Sequence, residues 1–443
     1  MGPLILSVTA LVASLAILLT GNSLQFVILA VRADIEGFSV ESMGLISAGY
    51  FGGFALGCIF CPRLIRMVGH IRAFAALASI ASGAVLAHPL LPDVVAWLLF
   101  RVMTGFCFAG MYMVVESWLN ARATNQLRGR LLSIYGAVTF GAYALGPLLS
   151  GLGSLEGFFL FVLASILMSF AIVPITLTRA NPPMPAHEQD DRSFSPWQLY
   201  RRSPLGMIAS IFNGIAIGGC TGLIAVFGNQ MALSTQELSL LMTSMMAGGF
   251  VLQYPLGWLS DKFDRRTVML GIALAGGGAA ILFTLALFSG LSMFILILAG
   301  ATLVGGLIFP LHAITIAHTN DWLAENEYVA AAAALSFVFS IGSMIGSAAG
   351  SWFMGLFGAP ALFGFVALVM GALSLFIIVR MFVREAPVSD DTTANVATSL
   401  MTPYVLPVDY AVLDDQLEFD FSAPITEIET EPANAGSDPP TST

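Results

Sequence analysis

Charge is what this chain has least of. Only 10% of its 443 residues are Asp, Glu, Lys or Arg, against 57% that are hydrophobic. A soluble domain of this length carries about a quarter charged residues, so a water-exposed globular fold is excluded. Cysteine is also sparse, and Cys58, Cys61, Cys107 and Cys220 all fall inside apolar runs. Cys58-x-x-Cys61 has no second pair and no nearby ligand cluster, so these cysteines are expected to be small core residues rather than metal ligands or a redox pair. There is no G-x-x-x-x-G-K-[ST] loop to cradle a nucleotide phosphate, which removes direct ATP use. Paired catalytic carboxylates, a metal cluster and a nucleophile–base set are missing too. An enzyme is not expected, and no cofactor or metal is implied.

Long apolar runs are abundant, and the mean hydropathy is +0.87. A spanning helix needs about 20 mainly apolar residues. Runs of that kind can be read near 4–31, 40–61, 73–91, 94–120, 131–153, 157–177, 205–231, 237–260, 267–288, 291–317, 328–355 and 360–383. The first has no basic residue ahead of Leu4 and is too long for the core of a signal peptide, so it is expected to remain as an uncleaved span. The fold class is therefore an all-α polytopic membrane protein.

Arginine placement predicts the orientation. Arg63, Arg66 and Arg72 follow the second span, Arg122, Arg128 and Arg130 the fourth, and Arg179, Arg192, Arg201 and Arg202 the sixth. Lys262, Arg265 and Arg266 follow the eighth, and Arg380 and Arg384 close the twelfth. Arg32 is the exception on the other face. The positive-inside rule then predicts both termini in the cytoplasm, with the protein in the inner (plasma) membrane.

The net charge of −10 has a local origin. Residues 384–443 hold 12 acids and one base, whereas the remainder holds 15 acids and 16 bases. An acidic tail implies no nucleic-acid partner. Four regions are expected: a six-span bundle over 1–177, a polar cytoplasmic linker over 178–204, a second bundle over 205–383, and a disordered acidic tail over 384–443. The end of the linker, Phe194–Arg202, carries Trp197 and Tyr200 beside Arg201 and Arg202 and suits the membrane interface. In the tail, Tyr404–Phe421 alternates acidic and hydrophobic residues, a pattern that could hold a partner or simply be solvated. The two bundles echo each other: Gly141, Gly146 and Gly151 in the fifth span match Gly342, Gly346 and Gly350 in the eleventh. With Ser336, Ser340, Ser343 and Ser347, the second set predicts a smooth sliding surface first and a binding surface second.

Polar side chains inside a bilayer are costly and mark cavities or mutual pairs. Asn22 and Gln25 share one face of the first span with Ser14, and Asn213 occupies the seventh. Arg101 and Glu116 share a face of the fourth span with Phe108 and Tyr112, about 22 Å apart along the axis, so each needs its own partner. His312 forms a stripe with Thr315 and Thr319, while His318 faces elsewhere. The expected substrate lining is Asn22, Gln25, Phe108, Tyr112, Tyr135, Thr139, Asn213 and His312. The candidates for proton coupling are Arg101, Glu116 and His312, the last because imidazole titrates near neutral pH.

One short stretch is specific. Gly257-Trp-Leu-Ser-Asp261-Lys262-Phe-Asp264-Arg265-Arg266 lies between two apolar runs. It resembles the loop signature G-x-x-x-D-[RK]-x-[GD]-R-[RK] of the major facilitator superfamily, and the chain resembles that family over residues 4–383. Arg101-x-x-x-Gly105 is similar to the family's fourth-span motif, whose arginine is associated with proton coupling. Gly146-Pro147-Leu-Leu-Ser-Gly151 is similar to the glycine–proline motif of its exporters. Glu116-Ser-Trp-Leu-Asn-Ala-Arg122 looks like the run in a bacterial branch called YcaD-like transporters. In the first-half loop, Pro62-Arg63 stands where an acidic–basic pair is expected.

The resemblance implies twelve transmembrane helices in two pseudo-symmetric six-helix bundles around a central cavity. It also implies cytoplasmic gating pairs: Arg63 and Arg66 with Glu325 and Glu327, and Asp261 of the Asp261–Arg265 loop with Arg128 or Arg130. The expected activity is secondary transport of a small organic solute by alternating access, as proton-coupled efflux. Uptake or facilitated passage of a metabolite is one alternative, and a non-transporting receptor or scaffold acting through the tail is another. The expected partners are the substrate, protons and the lipid bilayer, with the protein acting as a monomer.

Overall fold

The computed structural model describes the backbone of residues 2–122, 125–178, 195–324 and 327–383, and the side chains of these except at 2–7, 120–122, 125–130, 132 and 329. The acidic tail, including 404–421, and most of the linker therefore lie outside the described residues. Everything described is helical or a short connection. The helices are α1 (Gly2–Ile35), α2 (Val40–Val68), α3 (His70–Ala87), α4 (Val94–Arg122), α5 (Asn125–Leu148), α6 (Phe159–Phe170), α7 (Ile172–Leu177), α8 (Pro196–Arg202), α9 (Pro204–Gln230), α10 (Thr235–Lys262), α11 (Arg265–Phe288), α12 (Phe294–Asn320), α13 (Tyr328–Phe357) and α14 (Ala361–Val383).

Among the described residues, ten stretches are long and apolar enough to cross a membrane, with α6 and α7 together forming one of them. The remaining long helices, α5 and α10, are richer in polar residues and complete the set of twelve. The sixth span is broken at Ala171, because Pro174 has no N–H for the Phe170 carbonyl and its ring crowds that carbonyl.

Packing repeats between the halves. In the first, α1 packs on α5 and α6, α4 on α2 and α3, and α3 on α6. In the second, α9 packs on α13 and α14, α12 on α10 and α11, and α11 on α14. The tightest crossings repeat as well. A Cβ on Gly53 would run into the Val102 carbonyl and one on Gly105 into the Tyr50 carbonyl. Gly248 and Gly305 stand in the same relation to the carbonyls of Thr302 and Met245. In a bilayer, close backbone approach through small residues replaces hydrophobic burial as the packing force.

The halves meet through α2 on α13, α5 on α10, and α9 on both α1 and α2. Gly44 lies against Ser351 and Ser347, and Ser47 donates to the Gly222 carbonyl at 3.0 Å. Thr243 donates to Ala144 at 2.8 Å, and Ser150 and Ser239 share a 2.8 Å hydrogen bond. These contacts all lie toward the face opposite the arginine clusters.

Helix boundaries depart from the sequence reading at the arginine-bearing face. The second span does not stop at 61: α2 runs through Pro62 to Val68 because Ile65 is fully buried and draws the chain onward. It ends at Gly69, whose φ of 84° lets α3 begin at once. Similarly α10 reaches Lys262, so Asp261 stands on a helix rather than in a loop. The turn shrinks to Phe263 and Asp264, the latter capping α11 through the Arg266 N–H at 2.9 Å. At the end of the linker, α8 buries Leu199 against Ile316, Ala331, Ala334 and Leu335. Its other side carries Trp197 stacked on Tyr200, with Arg201 over the Trp197 ring. Of the α13 glycines singled out, Gly342 and Gly346 pack on the carbonyls of Ile211 and Ile215 of α9 and Gly350 beside Leu223 and Phe365, all within their own half. They do not form a surface on which the halves slide.

Candidate functional site

The first half contains a connected set of buried polar groups. Asn22 of α1 donates to the hydroxyls of Tyr50 (α2) and Tyr143 (α5), each at 3.2 Å, and the Tyr143 hydroxyl lies 3.3 Å from that of Tyr112 on α4. One turn along α1, Gln25 accepts from the Arg101 guanidinium at 3.4 Å. Arg101 is 1% exposed and packs against the rings of Phe26 and Tyr50, with its central carbon 4.4 Å from each centroid. Rings with a negative face stabilise a desolvated cation in this arrangement. Asn22 Oδ1 and Gln25 Nε2 are buried and have no hydrogen-bond partner among the described residues.

Glu116 lies elsewhere along α4, buried, and accepts a 2.5 Å hydrogen bond from the Tyr135 hydroxyl of α5. Thr139 Oγ1 turns back to the Tyr135 carbonyl at 2.8 Å, so it holds its own helix rather than a neighbour. Beside Glu116, Ser117 shares a 3.0 Å hydrogen bond with His70. Phe108 packs against the Tyr50 ring. Arg101 and Glu116 thus each have a partner of their own.

In the second half Asn213 reaches from α9 to α12. With its amide oriented by the surrounding donors and acceptors, its nitrogen donates to the Ile308 carbonyl at 3.0 Å and its oxygen accepts from the His312 backbone N–H at 2.9 Å. Those two groups face each other across one turn of the unbroken α12 beside Pro310, so the amide braces that turn. The His312 ring is 1% exposed and packs on Phe339 at 4.4 Å, and neither ring nitrogen has a hydrogen-bond partner among the described residues.

Two cavities lie between the halves. A narrow cleft is walled by Phe26 and Tyr143 from the first half and by Thr221, Met242, Met246 and Phe309 from the second. A second small cavity shares Phe26 and is lined by Met43, Trp97, Arg101, Gly222 and Val226. Of the residues singled out from the sequence, Arg101 lines a cavity directly. Asn22, Gln25 and Tyr112 belong to the network behind that wall, and Glu116, Tyr135, Asn213 and His312 form separate clusters. The sequence reading missed Tyr50 and Tyr143, which tie the network together. The signal was available, because a tyrosine in mid-span needs a partner for its hydroxyl. It also missed the methionine and phenylalanine walls, which a sequence cannot distinguish from ordinary core.

At the arginine-bearing face, Arg265 bonds Asp321 and the Ala317 carbonyl and lies 3.4 Å from Asp261. Glu327 pairs with Arg202 at 3.4 Å. Arg63 is exposed, whereas Arg66 is half-buried. Glu325 and the side chains of Arg128 and Arg130 lie outside the described residues.

Comparison with known proteins places this architecture. The family described as Major Facilitator Superfamily matches residues 10–238 and 206–422. The chain is 26% identical over 358 residues to an uncharacterised MFS-type transporter, YfkF of Bacillus subtilis, covering 79% of this chain and 89% of the relative. It is 26% identical over 364 residues to an uncharacterised MFS-type transporter, YcaD of Escherichia fergusonii, covering 82% and 91%. Among solved structures, the nucleoside transporter NupG superposes with a TM-score of 0.67 at 11% identity, covering 87% of this chain and 100% of that one. A D-xylose–proton symporter gives 0.67 at 15% identity, covering 84% and 96%. With two matching six-helix halves, the loop signature at 257–266 and polar groups buried against a cleft between the halves, this chain belongs to the major facilitator superfamily of secondary transporters, on the branch of the uncharacterised YcaD-type proteins.

Proposed function

We propose that the protein carries a small organic solute across the inner membrane by alternating access, as proton-coupled efflux. The observation that supports this best is the placement of the Arg101–Gln25–Asn22–Tyr50–Tyr143 network against an apolar, methionine-lined cleft where the halves meet. Convergent polar groups beside a mainly apolar wall are what a site for a small amphipathic molecule requires. Glu116 is the titratable group best suited to proton carriage. It is the buried carboxylate of the fourth span, and the Tyr135 hydroxyl can hold either of its protonation states. His312 is a second candidate. Arg101 keeps its proton and acts through its charge. Gly146 and Pro147 support the outward direction.

The arginine excess on one face supports cytoplasmic termini. The halves then touch on the external side, an inward-facing arrangement. In this proposal the pairs Arg63 and Arg66 with Glu325 and Glu327, and Asp261 with Arg128 or Arg130, belong to the opposite state. The carrier works as a monomer. The four-region division, with 178–204 as linker and 384–443 as tail, fits this scheme.

The test is flux in proteoliposomes across a panel of metabolites and drugs with an imposed pH gradient. Glu116→Gln should lose the response to the gradient while keeping solute exchange at zero gradient. An unchanged response in this variant would remove Glu116 from coupling, and no flux of any panel member in the parent protein would count against transport. Deleting residues 390–443 should leave flux intact. Loss of all flux on that deletion would favour the receptor or scaffold reading.

A further inference from the structure

From the surroundings of Arg101 we infer the substrate class: an organic anion with one carboxylate-like group and an apolar body. This rests on the transport reading above and names what that site takes. A guanidinium in the membrane interior is expensive unless something offsets its charge. Among the described residues no carboxylate lies within ion-pair distance of Arg101. Its hydrogen bond is the single long one from Nη1 to Gln25, and its other compensation is two aromatic faces. Nε and Nη2 make no hydrogen bond to described residues, and the side chain lines the second cavity between the halves.

The neighbouring amide holds the arginine from behind the cavity wall. Because Gln25 turns its oxygen to Arg101, its nitrogen is left as a buried donor with no partner among the described residues. Nε and Nη2 of Arg101 therefore remain for an acceptor in the cavity, and the Gln25 oxygen is turned to the arginine rather than to a ligand. That donor set complements a planar carboxylate, which takes paired N–H groups in a fork. It rejects an ammonium. The walls suit an apolar remainder: Phe26, Met43, Trp97 and Val226 surround the cavity, and Phe26 is shared with the methionine-lined cleft. A single ligand can therefore place its charge at Arg101 and its body across the boundary between the halves.

The experiment uses the full chain in nanodiscs and three probes of one shape: 4-phenylbutyrate, its primary amide, and 4-phenylbutylammonium. Thermal stabilisation is titrated for each on the parent protein, on Arg101→Lys and on Arg101→Gln. The carboxylate should bind the parent about ten- to hundredfold more tightly than the amide, the range expected for a charge-assisted hydrogen bond. The ammonium should give no shift. Arg101→Lys should keep the order of preference with weaker binding, and Arg101→Gln should abolish it. If the parent binds the amide or the ammonium as well as the carboxylate, or binds none of the three, the inference is overturned. The parent comparison stands even if Arg101→Gln does not fold. Anion binding without flux would count against transport alone, whereas flux confined to neutral or cationic solutes would count against the anion alone.

Discussion

Asn213 illustrates how one side chain sets the mechanics of a helix. By bonding both the Ile308 carbonyl and the His312 N–H, it braces the turn of α12 beside Pro310. Asn213→Ala should cost about 1–3 kcal/mol through the loss of two buried hydrogen bonds, read as a fall in Tm. An unchanged Tm would mean that the turn is stable without this brace. Asp264 offers a pH test. Burial opposes its ionisation, but hydrogen bonds from the Arg266 side chain and backbone prevail and hold the carboxyl below the usual range. A depressed folded-state pKa gives stabilisation that is present above the unfolded value of about 3.9 and is lost as pH falls through the lower folded value. Asp264→Asn should therefore flatten the acid limb of the stability profile, and a limb as steep as the parent's would show that other carboxylates set it. Of the buried polar residues, Asn22, Gln25, Arg101 and Glu116 were legible because an apolar run makes each conspicuous. Tyr50 and Tyr143 were hidden because tyrosine reads equally well as packing.

Helices were largely visible in the chain because lipid leaves the backbone no other partners than its own. Their ends were less so. The second span read as ending near 61, yet α2 continues through Pro62 because the burial of Ile65 outweighs one missing hydrogen bond. Pro174 read as part of a continuous span, yet it splits α6 from α7. The glycine crossings give a prediction at this scale. Gly53→Ala places a methyl group against the Val102 carbonyl, and overpacking of this kind costs about 1–3 kcal/mol. Gly141→Ala meets nothing nearby and should be neutral. Thermal stability in detergent separates the two, and equal behaviour would mean that α2 and α4 can move apart freely.

For the molecule as a whole, the face opposite the arginines is where the two halves are joined. Gly44→Val would push α2 from α13 there and should bias the carrier toward the state open at that face. In a cysteine-free background, a cysteine at Ser47 should then react faster with an impermeant thiol reagent, and an unchanged rate would show that the Gly44 contact does not hold this face shut. On the arginine-bearing face, Arg63→Glu should impair flux and Glu325→Arg should restore it if those residues pair in the alternate state. Failure of that rescue excludes direct pairing.

The sequence by itself determined the solvent of this protein, its helices and its family, because a bilayer admits few backbone solutions and the 257–266 signature is specific. Only the tertiary structure decided which polar groups meet. Residues far apart in the chain, such as Asn22 and Tyr143 or Asn213 and Ile308, come within hydrogen-bond distance through helix rotation and register. Those quantities are set by side-chain packing across several helices at once, so no single span encodes them.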